Sequence, residues 1–197
     1  MMKSNKKAEM GVGTLIIFIA MLLVAAVAAG VLLQTAGSLQ QRALSTGQAA
    51  QGEISTNVRV IEVSGTDGTA GNITDFIMQA KLAPGSNPIK LDEVILTLNT
   101  DTSTTTLQYS GSDAFETNAT TFTGEFGIEY LIEGSPNSAT SGNLQQGDVV
   151  RFLFESPEEI TEGERVRINL IPKIGTSTLV MFNTPDVIST ERVYLFP

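Results

Sequence analysis

Hydrophobic and polar positions follow two regimes along this chain. From Val12 to Leu33 almost every position is apolar, and no charged residue occurs between Met10 and Gln41. The apolar stretch is about the 20 residues a helix needs to cross a bilayer core. It is rich in the helix formers Leu, Ile, Ala and Met, and no Pro interrupts it. Past Leu33 the pattern turns amphipathic: Leu39, Ala43 and Leu44 fall on helical spacing between Gln40, Gln41 and Arg42. The pattern predicts one helix from about Gly11 to about Gln51, roughly 60 Å long at 1.5 Å per residue.

After Thr56 the period changes from 3.6 to 2. Phe76, Met78, Ala80 and Leu82 alternate with Ile77, Gln79 and Lys81, and Val94, Leu96 and Leu98 alternate with Ile95 and Thr97. Val150, Phe152 and Phe154 form a third such set, and Val166, Ile168 and Leu170 the clearest one. Weaker strands are predicted at Val58–Val63, Thr104–Tyr109, Phe126–Ile132, Leu179–Phe182 and Arg192–Phe196. Turn residues separate them at 65–68, 84–88, 134–137 and 147–148. The fold class expected is α+β: a long N-terminal hydrophobic helix, then an antiparallel β-sandwich of Ig-like kind. The expected divisions are a basic segment at 1–8, a hydrophobic and then amphipathic helix at 9–53 and a β-sandwich domain at 54–197.

Charge sharpens this division. The net charge of the 197 residues is −9, yet Lys3, Lys6 and Lys7 place three cations and no acid in the first eight positions. The remainder, with 9 basic and 21 acidic residues, would repel a phosphate backbone, so nucleic acid is not an expected partner. With no Cys and no His, thiol chemistry and the Ser-His-Asp and Cys-His arrangements lose their reacting groups. Paired carboxylates need neither, but no two acids are placed at strand ends beside an aromatic cleft, and the chain has no Trp. No catalytic residue, metal site or cofactor is therefore expected. The acids Glu155, Glu158, Glu159, Glu162 and Glu164 match no Ca²⁺ loop spacing and are read as a solvated turn.

Three processing schemes fit an apolar run so near the start. A secretory signal peptide normally has a core of roughly 7–15 residues, shorter than this one. A plain membrane anchor fits the length. A cut ahead of the run would leave the helix on the mature chain, and the flanking residues favour it. Lys6 and Lys7 supply cations, Ala8 is small enough for a protease pocket, and Glu9 would be the new N-terminus.

The residues that follow resemble the archaellin amino terminus. Gly11-Val12-Gly13-Thr14-Leu15-Ile16, then Val24-Ala25-Ala26-Val27-Ala28-Ala29, then Gly30-Val31-Leu32-Leu33-Gln34-Thr35-Ala36-Gly37 carry the resemblance over about 30 contiguous residues. Val166-x-Ile168-x-Leu170-x-Pro172, Gly175, Thr184-Pro185-Asp186 and Val193-Tyr194-Leu195-Phe196-Pro197 resemble the family's closing stretch. The resemblance implies a structural filament subunit of the archaellum, used for swimming. A prepilin-type signal peptidase would cut between Ala8 and Glu9, where many members carry Gly in place of Ala8. Membrane before assembly, the archaellum assembly machinery and other copies of the chain are the implied partners, and an extracellular filament is the implied location.

Within the helix, Leu15, Ile16, Phe18, Ile19, Leu22, Leu23 and Leu33 are the expected bulky core positions. Ala25, Ala26, Ala29 and Gly30 form pairs four apart that would let helix backbones approach closely. Asn72-Ile73-Thr74 and Asn118-Ala119-Thr120 are candidate N-glycosylation acceptors. Two other readings are a pilin-like adhesion subunit and a membrane-anchored extracellular binding protein. An N-terminus at Glu9 within fibres separates the filament readings from the last.

Overall fold

The computed structural model describes residues 6–68, 71–111, 124–134 and 142–196. Its first element is α1, Lys6–Ser55, a single helix of 50 residues. It starts before the expected Gly11 because Lys6, Lys7, Ala8 and Glu9 are themselves good helix formers. At the other end Gly47 and Gly52 do not stop it; the turn closes where Thr56 N donates to Gly52 O at 3.0 Å. Two compact units divide the chain, residues 1–49 and 50–197, and each is described by itself.

The described residues of the second unit include eleven strands: β1 Val58–Gly65, β2 Ile73–Leu82, β3 Ile89–Lys90, β4 Val94–Asn99, β5 Thr104–Tyr109, β6 Glu125–Ile132, β7 Asn143–Leu144, β8 Val149–Ile160, β9 Arg165–Pro172, β10 Thr178–Asn183 and β11 Val193–Phe196. Nine of them form one sheet in the order β10-β9-β4-β5-β6-β8-β2-β1-β11, and β3 pairs with β7 separately. The sandwich is thus one sheet folded over rather than two separate sheets. Every pair in it is antiparallel except β5–β6, which is parallel and joined only at Gln108–Glu125 and Tyr109–Phe126. That short joint separates the two layers.

The two ends of the sheet return to each other. Thr176 N donates to Thr56 O at 3.0 Å, and Thr178 Oγ1 donates to Val58 O at 2.6 Å. Gly175 makes this approach practicable: its φ is +117°, and a Cβ there would lie 2.5 Å from Thr56 O.

One core fills the space between the layers. Phe76, Phe126, Phe152 and Phe154 are fully buried, joined by Met78, Leu96, Leu107, Ile168 and Leu170. Phe76 and Phe154, opposite one another on β2 and β8, stack with ring centroids 5.6 Å apart. The inward members of all four alternating sets are buried as the period-2 pattern predicts. Ile77 departs from it. It lies on the outward side of β2 yet is buried, because Leu153 stands directly opposite on β8 and the two cover each other.

Asp75, on the same outward side, lies among acids. Asp67 Oδ1 and Oδ2 accept from the backbone N–H groups of Thr74 and Asp75, and Oδ2 also accepts from the Thr74 hydroxyl. Partial burial, then the charges of Asp67 and Glu155, raise the Asp75 carboxyl to about 6. The folded chain therefore holds this proton better than the unfolded chain. Stability falls as pH rises from the ordinary carboxylate range through about 6, and is flat above it. Asp75→Asn is expected to stabilise the fold at pH 8 by on the order of 1 kcal/mol, reduced from the full shift because the group is only partly buried. The gain should vanish near pH 4. Calorimetric melting of both chains at the two pH values checks this; a gain that is equal at both would exclude the titration.

Candidate functional site: an unpartnered apolar helix

α1 carries the residues that the sequence reading singled out. Lys6, Lys7, Ala8 and Glu9 form its first turn. From Leu15 to Leu33 the large apolar side chains stand exposed, from 49% for Ile19 to 75% for Leu33, with Leu15, Ile16, Phe18, Leu22 and Leu23 between. Ala25, Ala26, Ala29 and Gly30 are exposed as well. Thirteen large apolar side chains lie between Leu15 and Leu33. Full burial of such a set would contribute on the order of 20–40 kcal/mol gross, so the surface will not remain in water. The helix is long and apolar enough to cross a membrane.

Its polar groups are prepared for a dry setting. Thr14, Thr35, Ser38 and Ser45 each donate their hydroxyl to the carbonyl three residues earlier, at 2.9–3.0 Å. Such back-bonding satisfies the hydroxyls without water. The glycines point the same way. A Cβ at Gly11, Gly13, Gly30 or Gly37 would meet nothing within 4 Å. Each costs about 1 kcal/mol against Ala in a helix, and no neighbour in this chain requires it. Close approach by another helix would.

The other candidates are dispersed. Asn72 is half-buried, and its amide donates to Glu159 Oε2 at 2.6 Å. Thr74, the third residue of that acceptor triplet, is tied to Asp67 within β2. Asn118 lies outside the described residues. The five glutamates do not converge: Glu158 accepts from the Thr102 hydroxyl, Glu162 from Ile188 N, and Glu164 from Thr161 N. Among the described residues no group of three His, Cys, Asp or Glu is placed to hold a metal. Glu93 is held below its ordinary range by the Lys173 ammonium, which donates to it at 2.5 Å at the surface.

Sequence reasoning missed one acid with a structural task. Asp148 is fully buried; its Oδ1 accepts from Gly134 N at 2.7 Å and its Oδ2 from Gln145 N at 2.8 Å. The Gly147-Asp148 turn signal was the available clue.

The sequence profile of archaeal-type flagellins matches residues 8–182. The chain belongs to the archaeal-type flagellins. Among these flagellins, Flagellin B1 of Thermoplasma volcanium is 40% identical over 141 residues, covering 69% of this chain and 57% of that protein. Flagellin B4 of Pyrococcus abyssi is 33% identical over 208 aligned residues, covering 92% of this chain and 95% of that protein. The fold is shared with a solved structure of the archaeal flagellum of Methanospirillum hungatei, at TM-score 0.68 and 20% identity, over 90% of this chain and 98% of that one. Crystalline archaeal flagellin FlaB1 of Methanocaldococcus jannaschii matches at TM-score 0.62 and 21% identity, over 71% of this chain and 96% of that one. As an archaeal flagellin, the chain is a structural subunit of the archaellum, an extracellular filament assembled from such subunits. Its apolar helix is consistent with a precursor inserted in the membrane.

Proposed function

We propose that α1 serves twice, first as the membrane segment of a precursor and then, after removal of residues 1–8, as the helix buried among its copies in the filament core. The observation that carries this reading is an apolar surface covering all sides of α1 from Val12 to Leu33, with satisfied hydroxyls and glycines for which no described neighbour gives a reason. A surface needed only for lipid requires apolarity. Close packing in addition calls for small residues, as at Ala25 with Ala29 and Ala26 with Gly30.

On this reading a prepilin-type peptidase cuts between Ala8 and Glu9, and the archaellum machinery draws the mature chain into the filament. The role is structural, without catalysis. Residues 9–53 form the core element and residues 54–197 the outer domain. Asn72 and Asn118 are the candidate acceptors for a glycan, and at the first of them Asn72 and Thr74 are both engaged within the fold.

N-terminal sequencing of filaments sheared from cells tests the scheme: the chain should begin at Glu9, and filaments retaining Met1 overturn it. Charge reversal at Lys6 and Lys7 to Glu is expected to leave an uncut precursor in the membrane, with filament yield falling at least about tenfold, because basic residues hold the cytoplasmic side. Immunoblotting of membrane and sheared fractions reads both. Unchanged maturation would remove the basic leader from the scheme.

A further inference from the structure

The strands on the two outer faces of the folded sheet differ in the charges they carry, although Asp92, Glu93 and Lys173 border the first face beside Ile95 and Ile171. β10, β9, β4 and β5 contain no acidic residue, and their only charges are Arg165 and Arg167 on β9. Both arginines are exposed, and neither is in an ion pair among the described residues. The register sets Met181 beside Arg167 and Asn183 beside Arg165, around a shallow depression of about 420 Å³. Apolar side chains extend this face: Leu179 and Met181 are 55% and 58% exposed, and Ile95 and Ile171, side by side, about 40%.

The other face is acidic. Glu62, Asp75, Glu125, Glu129 and Glu155 point outward from β1, β2, β6 and β8, against Arg59, Lys81 and Arg151. Arg151 is already matched by Glu129 at 3.2 Å. Bare arginines beside exposed Leu and Met are out of place on a chain of net charge −9 unless something acidic covers them. The acidic surface that every copy carries in equal number is the reverse side of the same sandwich. A contact between two different faces is heterologous, and it repeats as an open helical array where its rotation does not close a ring.

We propose that the β10–β9–β4–β5 face of one outer domain docks on the acidic β6–β8–β2–β1 face of another copy, a contact that presupposes the filament assembly above. The contact joins subunits outside the helix core. Arg165 and Arg167 set its polarity, and Leu179 and Met181 supply its apolar contact.

The chain has no Cys, so introduced pairs can be read cleanly. Met181→Cys is combined in turn with Lys81→Cys, Glu125→Cys and Glu129→Cys in the full chain, and assembled filaments are treated with a short bis-maleimide. A ladder of several rungs is expected from at least one combination, and no product from any single variant. Dimers from Met181→Cys alone would mean that like faces meet, and would overturn the proposal. Intact filaments without a ladder in any combination overturn it too, while leaving the filament role standing. If the unaltered chain forms no filaments, the filament role itself fails. In the ladder-forming chain, Arg165→Glu with Arg167→Glu should lower the cross-linking yield by about tenfold at low salt. An unchanged yield would exclude the arginines as its basis.

Discussion

A chain carrying Ala26→Leu and Gly30→Leu is expected to reach the membrane and lose its leader, yet to yield almost no filaments. Both positions lie on α1 with open space around them, so neither substitution meets a clash within the chain. Leu is a better helix former than Gly by about 1 kcal/mol, and it is fully at home in lipid. Helix formation and membrane insertion should therefore be preserved or improved. Assembly differs, because the bulk is repeated in every subunit. Overpacking a close contact costs about 1–3 kcal/mol per site, and two sites per subunit weaken addition by about 30-fold to 10⁴-fold. The ratio of sheared filament to membrane-held chain measures this, with Gly30→Ala as the mild control. Filaments of normal yield would show the small-residue pairs to be incidental.

The helix was legible because its signal is local and long. An uncharged run from Met10 to Gln41 needs no knowledge of the rest of the chain. Its ends were less so. Lys6–Glu9 reads as a charged flank and the amphipathic pattern fades near Gln51, yet the helix runs past Gly52, because one glycine in a long helix is a penalty, not a barrier. β2, β4, β8 and β9 were legible for a related reason: one face of each meets the core, so polarity alternates. β3 and β7, of two residues each, are too short to carry a period.

Pairing was not legible at all. Nothing local in Thr104–Tyr109 says that it joins β6 in parallel, or that nine strands make one sheet. Strand order is decided by which core faces fit, and that information is spread over residues as distant as Thr56 and Thr176. The same limit hid the two faces of the sandwich. Arg165 and Arg167 read in sequence as the polar half of an alternating strand, and only the sheet order places them among strands without an acid.

Truncating Phe154 to Ala is expected to have the largest effect on the outer domain. Phe154 is fully buried, lies opposite Phe76 on β2 and Phe126 on β6, and stacks on the former with an interplanar angle of 11°. Loss of such a side chain costs about 3–5 kcal/mol, and without Cys no disulfide holds the strands together when the core weakens. The melting midpoint in calorimetry should fall by about 10 °C, with faster proteolysis of the outer domain. Leu153→Ala, one residue away, is the informative comparison. Leu153 is also buried, at 6% exposure, but it packs with Ile77 outside the main core. Its loss opens to solvent rather than leaving a closed cavity, so about 1–2 kcal/mol is expected, near the transfer cost alone. Equal losses from both variants would mean that the outward side of β8 is as enclosed as the inward side, as it would be if the docked face of a neighbour covered Leu153 in the filament. The contrast should therefore be sharpest in the unassembled chain and narrow on assembly, which ties the stability of a single strand to the contact proposed between subunits.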